Sequence, residues 1–121
     1  MLPAAFRLRD RTLLTTTVRR GTRAGRRYLV LHFLPCESVQ TVSASGPVPP
    51  RIAFAVNRAV GGSVVRHRVT RRLRQIVVDR IHQLPDGSAL VVRALPAAAH
   101  ASSTELDAEL ATLIGRVCAC V

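Results

Sequence analysis

Five arginines, Arg66, Arg68, Arg71, Arg72 and Arg74, fall within nine residues of the stretch VGGSVVRHRVTRRLR, Val60 to Arg74. No acid occurs between Arg51 and Val78. Like charges three or four residues apart on a helix repel one another, and a polyanion laid across them removes that cost. Phosphate is the best match, because a planar guanidinium forks two of its oxygens at once. The competing reading is a plain solvated face, although such faces usually mix the two signs. Asn57 and Arg58, with Gly61 and Gly62 before the helix, read as a further phosphate contact at a helix N-terminus.

The parts of a protein-borne catalyst are not evident. The seven acids, Asp10, Glu37, Asp79, Asp86, Glu105, Asp107 and Glu109, include no pair in the basic half that is spaced to hold two metal ions for phosphodiester cleavage. His32 and His67 are a formal possibility for a two-histidine ribonuclease site. Gly61-Gly62-Ser63 lacks the lysine and the spacing of a P-loop. Cys118-x-Cys120 is not the spacing of a zinc knuckle, and with Cys36 the cysteines read as inert thiols of a reducing compartment.

These residues need elements to position them. Ser63 is a plausible N-cap for a helix running to about Leu84, before Pro85. At 100° per residue, Val65, Val69, Leu73, Ile76, Val77, Ile81 and Leu84 share one face, and His67, Arg68, Arg71, Arg72 and Arg74 share the other. Arg66 and Arg80 point toward the apolar side. Tyr28 to Leu34 reads as a strand with Leu29, Leu31 and Phe33 toward the core and Tyr28, Val30, His32 and Leu34 on the face left for a ligand. Arg51 to Val56 is a second strand, with Ala53 and Ala55 making a shallow surface opposite Ile52, Phe54 and Val56. Between them, residues 35–50 read as a flexible hairpin loop. Ser88 to Ala94 is a third strand after the turn Pro85-Asp86-Gly87. A short first helix carries Leu13, Leu14 and Val18 and stops at Gly21, and a last helix opens at Ser102 with Glu105 completing a capping box. Residues 118–121 read as a tail.

The chain has 121 residues, 48% of them hydrophobic, which suits one globular domain, 1–121. Its net charge is +11, and all 18 basic residues are arginine. Such charge implies a polyanionic partner, nucleic acid rather than a membrane surface. No stretch is long and apolar enough to span a membrane, and no signal peptide is evident. Fifteen arginines precede residue 75, whereas four of the seven acids lie beyond residue 85, so the last helix is expected on the side away from the partner.

The stretch RIAFAVNRAVGGSVVRHRVTRRLR, Arg51 to Arg74, resembles the protein component of bacterial ribonuclease P. That family carries an apolar strand, a small-basic step, a glycine and an Arg-Asn-Arg segment opening a basic helix; the central Asn is His67 here. The similarity extends over roughly Arg7 to Leu95, and the family's Asp-Phe step in the first helix is Leu13-Leu14 here. The resemblance implies an α+β fold, a compact α/β sandwich of the ribosomal-protein-S5-like type in the order helix, strand, strand, long basic helix, strand, helix. It implies an enzyme whose catalyst is RNA, with magnesium held by RNA, removing the 5′ leader of precursor tRNA in the cytoplasm, one protein to each RNA. Arg58, Arg66, His67, Arg68, Arg71, Arg72 and Arg74 would dock on the catalytic RNA; Tyr28, His32, Ala53, Ala55 and Asn57 would hold the single-stranded leader. Two other readings compete: a structural RNA-binding protein of ribosomal type, and a DNA-binding protein with the arginine helix in a major groove. The last is disfavoured, because no dimerising heptad or helix-turn-helix accompanies the basic run.

Overall fold

The computed structural model describes residues 6–8, 11–34, 50–85 and 87–119. The reading of 35–50 as a loop, save Pro50, lies outside the described residues, as do Cys36, Cys120, Asp10 and Asp86. Helix α1 (Arg11–Arg20) leads into strands β1 (Thr22–Gly25) and β2 (Leu29–Leu34); β3 (Arg51–Ala55), α2 (Ser63–Arg80), β4 (Ala89–Ala94) and α3 (Ser103–Ala119) follow. The sheet order is β1-β2-β4-β3, antiparallel except for the parallel pair β3–β4.

This layout is the expected α+β sandwich with one additional strand. Thr22–Gly25 was absent from the sequence reading, because a four-residue TRAG segment has no apolar alternation; it exists by pairing with β2, Thr22 opposite Phe33 and Gly25 opposite Val30. The expected hairpin pairing of Tyr28 to Leu34 with Arg51 to Val56, now β2 and β3, is also corrected. β2 and β3 do not pair, and β4 lies between them. The run Ala-Leu-Val-Val is buried on both faces, which suits a central strand rather than an edge.

The sheet has helices on both sides. Leu29, Leu31, Phe33, Ile52, Leu90 and Val92 meet Val69, Leu73, Ile76 and Val77 of α2 and Leu106, Leu110, Leu113 and Val117 of α3 in the main core. Each such side chain contributes about 1.5–3 kcal/mol by leaving water. On the other side, Leu13 and Leu14 of α1 lie with Leu8 against Leu34, Ala89, Val91 and Ala53. The α1 face differs from expectation: Thr17 is fully buried and Val18 is 44% exposed. Thr17 Oγ1 donates to the Leu13 carbonyl at 2.7 Å, which satisfies the hydroxyl inside the packing. Gly21 ends α1 because backbone approaches it closely: a Cβ there would lie 2.4 Å from the Thr17 carbonyl oxygen and 2.6 Å from that of Phe33.

The ends of α2 and α3 also refine the expected bounds. Gly62, not Ser63, is the N-cap of α2, with no side-chain cap. The helix stops at Arg80, and a 3-10 turn, Ile81–Gln83, continues to buried Leu84. Gly61 has φ +158, and a Cβ there would meet Val65 at 2.9 Å. In α3 the capping box forms: the Glu105 N–H donates to Ser102 Oγ and the Ser102 N–H to Glu105 Oε1, both at 3.1 Å. Cys118 is not in a tail; it lies within α3, half-buried against the core, and burial raises its thiol pKa.

Candidate nucleic-acid interface

The apolar seam of α2 fixes which arginines face outward. With Val69, Leu73, Ile76 and Val77 anchored in the core, His67, Arg71 and Arg74 are exposed. Val64, 78% exposed, stands bare on the same side.

The other arginines of the helix are not equivalent to these. Arg66 and Arg68 are half-buried, each with its Nε sealed from solvent and without a partner, so only the outer guanidinium nitrogens remain for a ligand. Arg72 is half-buried and donates from Nη1 to the Ala101 carbonyl at 3.0 Å. It therefore corrects the simple two-faced helix: its head is held on the side of the segment that leads into α3. Arg80, read as pointing to the apolar side, does so as one half of a two-bonded pair with Asp107, at 2.6 and 3.0 Å.

Ahead of the helix, Asn57 and Arg58 are exposed. Asn57 Oδ1 accepts from the Ala59 N–H at 3.0 Å and its carbonyl from the Val60 N–H at 3.1 Å, which fixes the turn that carries Arg58 to the α2 N-terminus. At the edge of β3, an open cleft of about 350 Å³ is lined by Arg7, Leu8, Leu14, Ile52, Ala53, Phe54, Thr70 and Arg74. This cleft joins the outer side of α2 to the sheet face through Ala53. Ala55 is exposed two residues further along β3.

The expected leader face is only partly assembled. Tyr28 does not stand with His32. It precedes β2, packs beside the main core, and its hydroxyl donates to Glu105 Oε2 at 2.6 Å. That bond, before burial, raises the tyrosine pKa, and Arg27 stacks 5.4 Å from the ring centroid. Glu109, 8% exposed, is the cause of this placement: its carboxylate accepts the N–H groups of Arg27, Tyr28 and Leu29 at 3.1, 2.7 and 2.7 Å. The side chains that bind this turn to α3 were not legible as a tether, since they lie about eighty residues away in sequence.

His32 is on the sheet side expected of it, but it is 6% exposed rather than open. Its Nδ1 is sealed and has no partner. Burial first, then the charges of Arg23 and Arg93, hold its pKa below the ordinary 6.5, so the ring is neutral at physiological pH. Arg93 was missed in the sequence; the alternation of β4, with Val92 in the core, was the signal that places it outward.

Three of the described acids are occupied within the protein, and the fourth, Asp79, is exposed near the end of α2. Glu105 serves Ser102 and Tyr28, Asp107 serves Arg80, and Glu109 serves backbone. Arg80–Asp107 is the one ion pair between side chains among the described residues. Arg71 and Arg74 of α2 thus face outward without an ion-pair partner among the described residues, the pattern of a phosphate-binding surface. The described residues contain no group of three or more His, Cys, Asp or Glu able to hold a metal ion, and no helix long and apolar enough to cross a membrane.

Comparison with known proteins gives this surface a family. A model of the family described as Ribonuclease P matches residues 2–118. The ribonuclease P protein component of Streptomyces griseus is 50% identical over 119 residues, covering 95% of this chain and 97% of that one. That of Rhodococcus opacus is 48% identical over 111 residues, covering 91% and 86%. Among solved structures, the ribonuclease P protein of Thermotoga maritima superposes with a TM-score of 0.73 at 20% identity, covering 92% of this chain and 96% of that one. The Staphylococcus aureus protein gives 0.73 at 17%, covering 93% and 96%. The chain belongs to the ribonuclease P protein family, the RNA-binding subunits of a ribonucleoprotein endoribonuclease of tRNA processing in which RNA is the catalyst.

Proposed function

We propose that the chain docks on ribonuclease P RNA through the outer face of α2 and holds the 5′ leader of precursor tRNA across the open part of the sheet, one protein to each RNA, in the cytoplasm. The observation that carries this reading is the row His67, Arg71 and Arg74, exposed on a helix whose opposite face is locked in the core. Arg58, Arg66 and Arg68 extend the surface toward the α2 N-terminus. Arg72 contributes mainly through its bond to Ala101. The leader passes the cleft beside Ala53 and Arg74 and runs over Ala55, near Asn57 and His32; Tyr28, bound to Glu105, is outside this path.

A protein of this kind acts by position and charge. Phosphates neutralised by fixed guanidinium groups lose much of their mutual repulsion, so RNA and substrate approach more closely than they would alone. The arginine face does not fit a magnesium ion, which takes oxygen ligands. The magnesium expected of the reaction would therefore be held by RNA and substrate phosphates rather than by this protein.

The test is cleavage of precursor tRNA at low magnesium by a bacterial ribonuclease P RNA, with and without the chain. Restored removal of the 5′ leader supports the proposal. Equal rates with and without the chain, under conditions where the chain is bound, would refute it.

A further inference from the structure

The open half of the sheet carries two arginines that the docking helix does not explain. Cross-strand register sets Arg23 of β1 opposite His32 of β2, and His32 opposite Val91 of β4. The next row is Gly25, Val30, Arg93 and Ala55. Paired residues share a face, so Arg23, His32 and Arg93 lie on one side of the sheet in adjacent rows, with Arg93 diagonal to His32. The α1 side chains pack over Leu34, Ala89, Val91 and Ala53, which leaves the Arg93 row beyond that packing.

The surroundings of these residues are suited to a ligand. Arg23 and Arg93 are both exposed, and neither has an ion-pair partner among the described residues. The outer members of the Arg93 row, Gly25 and Ala55, raise nothing larger than a methyl group beside it. Both arginines are close enough to His32 to disfavour its charged form. The sealed Nδ1 of His32 has no acceptor. A buried N–H without an acceptor is costlier than a buried lone pair without a donor, so the neutral ring carries its proton on Nε2, as a donor. Two permanent cations and one neutral donor on a shallow floor present donors only. An anion with two free oxygens can satisfy all three and another cation cannot; for a chain that binds RNA, the backbone phosphodiester is the anion at hand.

We propose that Arg23, His32 and Arg93 form a cradle for one backbone phosphodiester of the single-stranded leader. The inference rests on the leader-binding reading above and assigns to it a specific contact. A phosphate contact has no base preference, so it would hold leaders of unrelated sequence. It also fixes the strand in register, because the cradle accepts one phosphate and the cleft at Ala53 and Arg74 then meets the nucleotides beyond it.

The test uses the holoenzyme reconstituted from this chain and ribonuclease P RNA. Affinity is measured for precursor tRNA, for mature tRNA without a leader, and for precursors in which one leader phosphate at a time is a neutral methylphosphonate. Arg93→Ala is expected to weaken precursor binding about fivefold to tenfold and to leave mature tRNA binding as it was. One methylphosphonate position should weaken binding to the unaltered protein and have no further effect in Arg93→Ala. Arg93→Lys should restore part of the loss, as a cation without the fork. Arg93 is exposed, so the thermal midpoint of the variant should match that of the unaltered protein and exclude misfolding as the cause. Undiminished precursor affinity in Arg93→Ala, or unchanged sensitivity to every methylphosphonate, would overturn the cradle. Equal affinity of the unaltered holoenzyme for precursor and mature tRNA would instead refute the leader-binding reading, and the cradle with it.

Discussion

Arginines that are alike in sequence differ once packed. Arg71 is exposed on α2, while Arg72 is turned to the Ala101 carbonyl at 3.0 Å. Truncating each should therefore have opposite signatures. Arg71→Ala is expected to weaken binding to ribonuclease P RNA and leave stability within about 0.5 kcal/mol of the unaltered protein, as for surface changes away from packed features. Arg72→Ala is expected to cost about 1 kcal/mol of stability, for a half-buried hydrogen bond to a carbonyl, and to weaken RNA binding less. Chemical unfolding and RNA titration of the two variants separate the effects. The interleaved pattern of α2 made the helix and its buried face legible, because Val69, Leu73, Ile76 and Val77 recur at helical spacing. It did not show which cation is captured internally, since Ala101 approaches Arg72 only through tertiary packing. His32 has the same history: alternation gave its side of the sheet, and only the neighbouring strands and α1 determine its burial.

At the scale of elements, α3 does more than complete the core. Its buried Glu109 receives three consecutive backbone N–H groups from the β1–β2 turn, and its Glu105 holds the Tyr28 hydroxyl. The turn that carries Arg26 and Arg27 is thereby attached to α3, which packs beside β1 and β2. Glu109→Gln keeps the shape but replaces one acceptor oxygen with an NH2 group facing N–H donors. It should cost about 1–3 kcal/mol, the penalty for leaving buried donors unpaired, with earlier hydrogen exchange at Arg27, Tyr28 and Leu29 than at Val30 to Leu34. Exchange that remains uniform along β2 would show that pairing with β1 and β4, not the carboxylate, holds the turn. The elements with strong internal signals were readable: the capping box Ser102–Glu105, the apolar strand Leu29–Leu34 and the stop at Gly21. Strand β1 was not, because its residues acquire strand geometry from β2, and the order of β3 and β4 was not, because adjacency in a sheet is decided by which strand is buried on both faces.

Across the whole molecule, Glu105, Asp107 and Glu109 are engaged within the fold, while the exposed arginines of α2 are left for a partner. Glu105 and Asp107 are both held below their ordinary pKa values of 4.5 and 3.8, Glu105 first by the Tyr28 hydroxyl and then by Ser102, Asp107 first by Arg80. A carboxylate with a depressed folded-state pKa contributes stability above its unfolded value, and that contribution is lost as pH falls through the folded-state value. Stability should therefore fall on acidification from about 4.5 downward, and a Glu105→Gln/Asp107→Asn variant should show a shallower fall, followed as thermal midpoint against pH. A matching pH slope in the variant would place the acid sensitivity elsewhere. The same division of charge explains why a polyanionic partner was legible from composition, +11 on 121 residues, while the ribonuclease P function was legible only through the resemblance of Arg51 to Arg74 and the tether through α3 had no signature in the chain.

The central claim is that the outer face of α2 is the surface that docks on RNA. The measurement that tests it most directly is the salt dependence of affinity for ribonuclease P RNA, comparing the unaltered chain with Arg71→Ala/Arg74→Ala. Loss of two phosphate contacts should lower affinity at every salt concentration and reduce the slope of log affinity against log salt by about 2. An unchanged slope and affinity would contradict docking through α2 and would place the RNA on another part of the surface.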